Sequence, residues 1–177
     1  MDGLLAQIPS SCVQTADTTT GFSMTNLEDA MLNIFKFGSQ QKIAFCGNTA
    51  ALTLNRIYRL NSQWEMYSGE KEFGMTVNRL VCPFGELTFK THPLFNYMPS
   101  GVTAGTKYYG MDSHMVVLDA SKLKYVYLRN RDITSQKNLQ LPGADGMKEG
   151  LLGEISIQVS QAQTMYWLKN VAKAAVG

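Results

Sequence analysis

Few residues in this sequence have side chains suited to catalysis or metal binding, and only two of them are histidines. His92 and His114 could ligate zinc together with Cys46 and Cys82, since imidazole and thiolate are ligands that zinc prefers. None of the four stands at the short spacing of zinc-binding motifs, which favours ordinary core and surface side chains. The sequence therefore predicts no metal ligand.

Cys82 and His92 could instead act as nucleophile and base of a cysteine-dependent hydrolase, facing each other across a hairpin. A thiol flanked by Val81 and Pro83 is expected to be buried, and a buried thiol is inert. The hydrolase is kept as a minor alternative. Iodoacetamide at neutral pH tests it, because a thiol that stays unlabelled in the native protein removes it.

Carboxylates offer acid–base chemistry. Glu70, Glu72 and Glu86 could pair as general acid and base, but the sequence places them at loop and outward positions, where solvated carboxylates are usual. Asp145 and Glu149 fall short of a calcium-loop pattern. No catalytic residue is predicted, and the chain is not expected to be an enzyme.

Gly47 could contribute to a phosphate site, because it joins a strand candidate at residues 42–46 to a helix start. Free amides at a helix N-terminus attract anions. One glycine is far from a phosphate-loop motif, however, and no lysine follows until Lys71. An ordinary strand-to-helix turn is favoured, and no cofactor is predicted.

Length and composition limit the function further. The 177 residues suit one domain with a real core. Only 17% of the residues are charged, against roughly 25% in typical domains, which favours a surface partly covered by a partner. The net charge of +2 gives no basic patch for phosphates.

The chain has an odd number of cysteines and no CxxC pair, which indicates reduced thiols in a protein made in the cytoplasm. Its N-terminus has neither the basic region nor the apolar run of a signal peptide. No stretch approaches the roughly 18 apolar residues of a membrane span. We expect no membrane partner.

The elements that must position these side chains begin after residue 24. Residues 1–24 have no sustained period and predict irregular structure or a mobile end. Thr25 and Glu28 have the form of a capping box. Leu27 begins a helical spacing of apolar residues that continues to Phe35. Gly38 then stands where a left-handed residue ends the helix.

The remainder predicts mostly strands. Residues 48–58 form a second helix candidate after the strand at 42–46. Strand candidates follow at residues 62–67, 76–82, 86–91, 115–118, 123–129, 151–160 and 165–171.

Two of these strands carry specific expectations. Residues 115–118 and 123–129 predict adjacent core strands, joined by a turn at Asp119 and Ser121. Residues 151–160 give the cleanest strand period, with one apolar and one polar face.

Three stretches are predicted to be loops. Residues 68–72 are a solvated turn, and residues 130–150 are polar with turn signals. Residues 92–112 form a long loop rich in aromatic and small residues, typical either of a contact surface or of a local satellite core. Residues 172–177 are expected to fray.

The order of these elements resembles the C-terminal half of tailed-phage major capsid proteins of the Hong Kong 97 type. The resemblance spans about residues 4–171 and depends on structural glycines and hydrophobic positions. It is carried by FKFG at 35–38, KIAF at 42–45, FGEL at 84–87, VVLD at 116–119 followed by Leu123, LR at 128–129, and GEISIQV at 153–159.

The resemblance implies an α+β fold with mixed or antiparallel sheets and two or three helices. Residues 25–177 would form one such domain, with a core like the family's axial domain and returning peripheral strands. It also implies self-assembly into pentamers and hexamers around double-stranded DNA. The N-terminal arm, extended loop and spine helix usual in that family have no counterpart here.

The function predicted on this basis is that of a major capsid subunit in the virion, synthesised in the host bacterial cytoplasm. Its partners would be copies of itself and other head proteins, with DNA contacted only by proximity and no small-molecule substrate. The main alternative, from another class, is a phage or prophage accessory module that binds a partner protein through residues 92–112.

Overall fold

The computed structural model describes residues 3–16, 21–61, 67–72, 75–98, 110–143 and 145–171. The two helices are α1 (Met24–Ile34) and α2 (Asn48–Asn61). The strands are β1 (Val13–Thr15), β2 (Gln41–Cys46), β3 (Tyr67–Glu72), β4 (Met75–Cys82), β5 (Gly85–Thr91), β6 (Met115–Leu118), β7 (Leu123–Tyr127), β8 (Thr134–Gln136), β9 (Gly150–Leu152), β10 (Ile155–Val159) and β11 (Tyr166–Lys169).

Seven of the strands form one mixed sheet in the order β1-β11-β6-β2-β5-β4-β3. The neighbours β1 and β11, and β2 and β5, run parallel, while the remaining neighbours are antiparallel. All four residues of β6 are buried, as their unbroken apolar run predicts for a central strand. The predicted hairpin of β4 and β5 is confirmed, with Leu87 and Phe89 turned into the core.

Helix α1 presents to the core the apolar stripe that its sequence spacing predicts. Leu27, Ala30, Met31 and Ile34 are all buried. The predicted capping box at Thr25 is wrong. The N-cap is Ser23, whose extended backbone lets its hydroxyl accept the Asn26 amide at 3.3 Å.

Replacing Ser23 by alanine is expected to lower the free energy of unfolding by about 1 kcal/mol, because the Asn26 amide loses its acceptor at the start of α1. Thr25→Ala is the matched control, since Thr25 lies inside the helix, and should change stability by less than about 0.5 kcal/mol. Urea unfolding followed by circular dichroism measures both. A larger loss of stability in Thr25→Ala than in Ser23→Ala would instead support the capping box at Thr25.

The N-terminal segment is more ordered than its lack of period suggests. Val13–Thr15 forms β1, the edge strand of the large sheet, in register with Trp167 to Lys169 of β11. The expectation of irregular structure fails here because three residues are too few to show an alternation, and their pairing is with a strand far along the chain. Residues 17–20 lie outside the described part.

Strand β3 corrects another prediction. Residues 68–72 were expected to form a solvated turn, but Tyr67–Glu72 pairs with β4 as the other edge of the sheet. A register shift between Ser68 and Lys71 explains why no clean alternation marks it. Residues 62–66 of the predicted preceding strand, and the predicted frayed end at 172–177, lie outside the described residues.

Residues 123–159 form a separate structure that we call the hairpin arm. Its inner ladder pairs β7 with β10, and its outer ladder pairs β8 with β9. Leu123 and Val159, at the base, pack against the core, while most of the arm is exposed. The expectation that β6 and β7 lie side by side in the core is therefore wrong, because the chain leaves the large sheet between them.

The strand predicted over residues 151–160 divides into β9 and β10 at Gly153 and Glu154. Its period is correct, but this chain covers its apolar face only in part: Ile155 and Ile157 are 43% and 48% exposed. Likewise, the polar stretch at 130–150 contains β8. An alternating pattern reports which residues share a face of a strand, not what covers that face.

Candidate functional site

The sheet gathers three of the four candidate zinc ligands at one end, but their side chains have other partners. Cys46 is buried, and burial raises the pKa of its thiol to about 12. His92 packs edge-on against Phe45 and accepts the Leu94 amide at its Nδ1. His114 Nδ1 accepts the Trp167 indole N–H at 3.1 Å. In the described residues no three His, Cys, Asp or Glu side chains are placed to hold a metal.

Cys82 and His92 lie at opposite ends of β5, because Cys82 pairs with Gly85 at its start and His92 follows its last residue. Seven residues of strand separate the two ends by roughly 20 Å. The Cys82 thiol donates to the Gly85 carbonyl at 3.0 Å, and burial raises its pKa. The structure therefore does not bring together the nucleophile and base of the hydrolase alternative.

Several amides at the turn into α2 already have acceptors within the chain. The Gly47 amide donates to the His114 carbonyl, and the Ala50 amide donates to the Asp112 carbonyl. A β-carbon added at Gly47 would collide with the Asp112 backbone. The chain itself thus fills the space that a phosphate would need, and Gly47 is required for close packing.

Among the candidate carboxylates whose side chains the structure describes, none is placed to act with another as acid and base. Glu86 forms an ion pair with Arg79 of the neighbouring strand. Asp145 is exposed in the hairpin arm. The side chains of Glu70 and Glu72 lie outside the described ones, as do residues 99–109 of the predicted contact loop.

Sequence reasoning missed a buried polar cluster beneath α1. The Lys42 side chain is 1% exposed, and its ammonium donates to the carbonyls of Ile34, Phe37 and Thr164 at 2.6, 2.8 and 2.7 Å. All three of its donors are used. Two of these bonds satisfy carbonyls at and just beyond the C-terminal end of α1, so Lys42 ties the helix to the sheet and to the 3-10 turn before β11.

Asp119 supplies the negative charge of the same cluster and is fully buried. Its carboxylate accepts the Ser39 amide at 2.8 Å and the amide and hydroxyl of Ser121 at 3.0 and 2.6 Å. Burial alone would raise the pKa of Asp119, but the hydrogen bonds from Ser121 and Ser39 and the charge of Lys42 hold that pKa below its usual value. The cluster is structural, because the ammonium of Lys42 and the carboxylate of Asp119 both form their hydrogen bonds with groups of this chain.

The most unusual surface of the molecule is the hairpin arm. Of the nineteen large hydrophobic side chains exposed in the described residues, eleven lie between residues 125 and 157. They are Tyr125, Tyr127, Leu128, Ile133, Leu139, Leu141, Met147, Leu151, Leu152, Ile155 and Ile157. A soluble monomer rarely concentrates exposed apolar side chains in this way, so the arm is a candidate contact surface.

On the inner ladder the exposed residues form a regular face. Ile155 pairs with Tyr127, and Ile157 pairs with Tyr125. Residues directly opposite each other on antiparallel strands share one face of the sheet. All four side chains are about half exposed. The face is an apolar and aromatic patch, of the composition found at the centres of protein interfaces.

Polar contacts hold the two ladders of the arm in a fixed relation. The Tyr125 hydroxyl donates to the Asp132 carboxylate at 2.7 Å, and the same carboxylate oxygen accepts the Ile133 amide. Arg131, between β7 and β8, pairs at 2.9 Å with Glu154, between β9 and β10. These bonds link the two ladders at their junction.

The outer ladder carries a knob and a hollow. Leu141 and Met147 stand in the loop between β8 and β9 with 80% and 89% of their surface exposed, and we call them the tip. Beside them is an open hollow of about 430 Å³, lined by Ser135, Glu149, Gly150 and Leu151. An exposed leucine or methionine side chain is small enough to enter such a space.

The family model described as "SU10 major capsid protein" matches residues 1–172. No curated protein matches the sequence. Within the described residues, neither helix has the length and apolar character that crossing a lipid bilayer requires.

Two solved structures resemble the chain at low identity. A prophage capsid protein of E. coli CFT073 matches with 12% identity and a TM-score of 0.53, over 92% of this chain and 53% of that chain. The holo-SrpI encapsulin complex of Synechococcus elongatus PCC 7942 matches with 13% identity and a TM-score of 0.49, over 99% of this chain and 59% of that chain. The chain thus spans little more than half the length of either. The E. coli match confirms the predicted α+β capsid fold.

Proposed function

The chain belongs to the SU10 major capsid protein family, whose members are structural proteins of the phage head, and we propose that it works there as a shell subunit. Its mode of action would be packing against copies of itself, without catalysis. The observation that carries this proposal is the family match over residues 1–172. The concentration of exposed apolar side chains on the hairpin arm supports it, because a large exposed apolar patch typically marks a site of protein contact.

The charge of the chain supports a partner of the same kind. A net charge of +2 over 177 residues gives little repulsion between copies. It also supplies no basic stripe for DNA, so contact with packaged DNA would arise from proximity and depend on salt. Association into pentamers and hexamers, and contacts with other head proteins, are parts of the same proposal.

Self-association of the purified chain tests this function. We expect sedimentation velocity to show species larger than the 19.6 kDa subunit as concentration rises, and electron microscopy of the same samples to show rings or shells. Salt titration separates apolar from ionic contacts, since apolar association persists at high salt. A single species of subunit mass at every concentration and salt would overturn the proposal.

A further inference from the structure

We propose that the contact between His114 and Trp167 is a pH switch, in which the neutral imidazole holds the indole and a proton taken up in mild acid releases it. His114 directly precedes β6, and Trp167 lies in the neighbouring strand β11. Release of the indole loosens the edge of the large sheet that β11 and β1 form. The switch lies within one chain, so it does not rest on the proposed function.

The hydrogen bond between the two side chains fixes the protonation state of the histidine. Nδ1 of His114 accepts the indole N–H of Trp167 at 3.1 Å. An indole nitrogen can only donate, and a neutral imidazole has one accepting nitrogen while an imidazolium has none. The neutral ring therefore carries its proton on Nε2. A second proton, on Nδ1, brings two N–H groups face to face and breaks the bond.

A cation close to the indole adds to the cost of protonation. The Lys169 ammonium lies 4.0 Å from the centroid of the Trp167 ring. The ring of His114 lies 5.7 Å from the same ring, centroid to centroid. The indole thus already has one positive charge against it, and an imidazolium would bring a second one near. Burial lowers the pKa of His114, and the charge of Lys169 lowers it further.

The other groups around His114 do not reverse this direction. The Asp112 carboxylate raises the pKa of His114, but less than burial lowers it, and it also accepts the Thr49 hydroxyl of α2 at 2.7 Å. On β2, Cys46 pairs with Met115, and burial raises the pKa of its thiol to about 12, so the thiol stays neutral. Neither β1 nor the first turn of α2 has a charged side chain. His114 is therefore neutral in the folded protein at pH 7.

The position of Trp167 makes the edge of the sheet the part that responds. Trp167 pairs with Val116 of β6 on one side and with Val13 of β1 on the other. Strand β1 is three residues long, and β11 is its neighbour in the sheet. Segments held by few contacts open at a lower free energy than the core. Protonation therefore loosens β1 and the Trp167 side chain while β2 and β5, in the middle of the sheet, stay paired.

Linkage gives the direction of the pH dependence. A histidine in an unfolded chain has a pKa of about 6.5, and the pKa of His114 in the folded protein is lower. Between these two values the unfolded chain binds more protons than the folded one. The stability that neutral His114 contributes is therefore fully present above the unfolded pKa and is lost as pH falls towards the folded pKa.

Acrylamide quenching of tryptophan fluorescence tests the switch in the full chain. In a Trp64→Phe background Trp167 is the only tryptophan, and its side chain is buried at neutral pH. We expect the quenching constant to rise severalfold as pH is lowered, with a midpoint below about pH 6.5. His114→Asn places an amide oxygen where Nδ1 stood and cannot titrate, so its quenching constant should stay at the neutral-pH value.

His92→Asn is the matched control, because the Nδ1 of His92 also accepts an N–H, the backbone amide of Leu94. This variant should follow the curve of the parent chain. Lys169→Met removes the cation beside Trp167 and should move the midpoint to higher pH. It decides the question even where His114→Asn fails to fold.

Three results would each overturn the switch: a quenching constant of the parent chain that does not change with pH, an equal rise in His114→Asn, or an unchanged midpoint in Lys169→Met. None of them bears on the proposed function, which is measured by self-association of the wild-type chain.

Discussion

Replacing Lys42 by methionine is expected to lower the free energy of unfolding by about 3–5 kcal/mol. Methionine keeps the length of the side chain but removes the ammonium, so the carbonyls of Ile34 and Thr164 lose their donor in the core. Asp119 also keeps its charge without the nearby cation. Since a domain of this size is stable by only about 5–15 kcal/mol, the variant should unfold at markedly lower urea concentration.

Lys36→Met is the matched control, because Lys36 is an exposed lysine in the turn after the same helix. It should change stability by less than about 0.5 kcal/mol. The dependence of the free energy of unfolding on pH, measured at acid pH, gives a second readout. The lowered pKa of Asp119 contributes stability that is present above its unfolded pKa and is lost as pH falls through its folded pKa. Without Lys42 the folded pKa of Asp119 rises towards its unfolded pKa, so this loss should be smaller and should be complete at a higher pH. Equal stability of Lys42→Met and Lys36→Met would refute the role of the cluster.

Gly38→Ala is expected to be the second most damaging single change described for this molecule, at about 2–5 kcal/mol. Two effects add. Gly38 has φ +88°, where a side chain strains the backbone. A β-carbon there would also lie 2.5 Å from Asp119 Oδ2 and 2.7 Å from Thr164 Cγ2. Relief of that contact requires movement of the carboxylate that holds Ser39 and Ser121.

The hairpin arm provides a control that separates the two effects. Gly143 has φ +90°, but nothing lies within 4 Å of an added β-carbon. Gly143→Ala should therefore cost only the backbone strain, about 1–2 kcal/mol. The difference between the two variants in urea unfolding measures the collision at Asp119. Equal losses would mean that the buried cluster yields to the added methyl group without cost.

Much of the core follows from local patterns. The stripe from Leu27 to Ile34 predicts the buried face of α1, and the four apolar residues of β6 predict a strand covered on both sides. The left-handed glycine at position 38 was also predicted, and it has φ +88°. These features depend on residues near each other in sequence, so periodicity and turn chemistry suffice to find them.

The buried cluster and the exposed arm were not predictable in the same way. In the sequence, Lys42 has the pattern of a polar residue at the start of a strand. Its contact with the carbonyl of Thr164, 122 residues further on, depends on the fold. Ile155 and Ile157 have the pattern of a core face, yet this chain leaves them half exposed. A signal was present in the arm, since apolar residues recur within a stretch dominated by turn residues. Sequence alone does not say whether a chain or its neighbour covers such residues.

The pairing of β1 with β11 has a consequence for synthesis. Val13 lies beside Trp167 in the finished sheet, so a nascent chain leaving the ribosome must hold β1 unpaired until β11 has emerged. Contacts that close so long a loop form slowly. The edge of the large sheet should therefore be completed after translation has passed residue 169, which delays the mature subunit until the whole sheet is available.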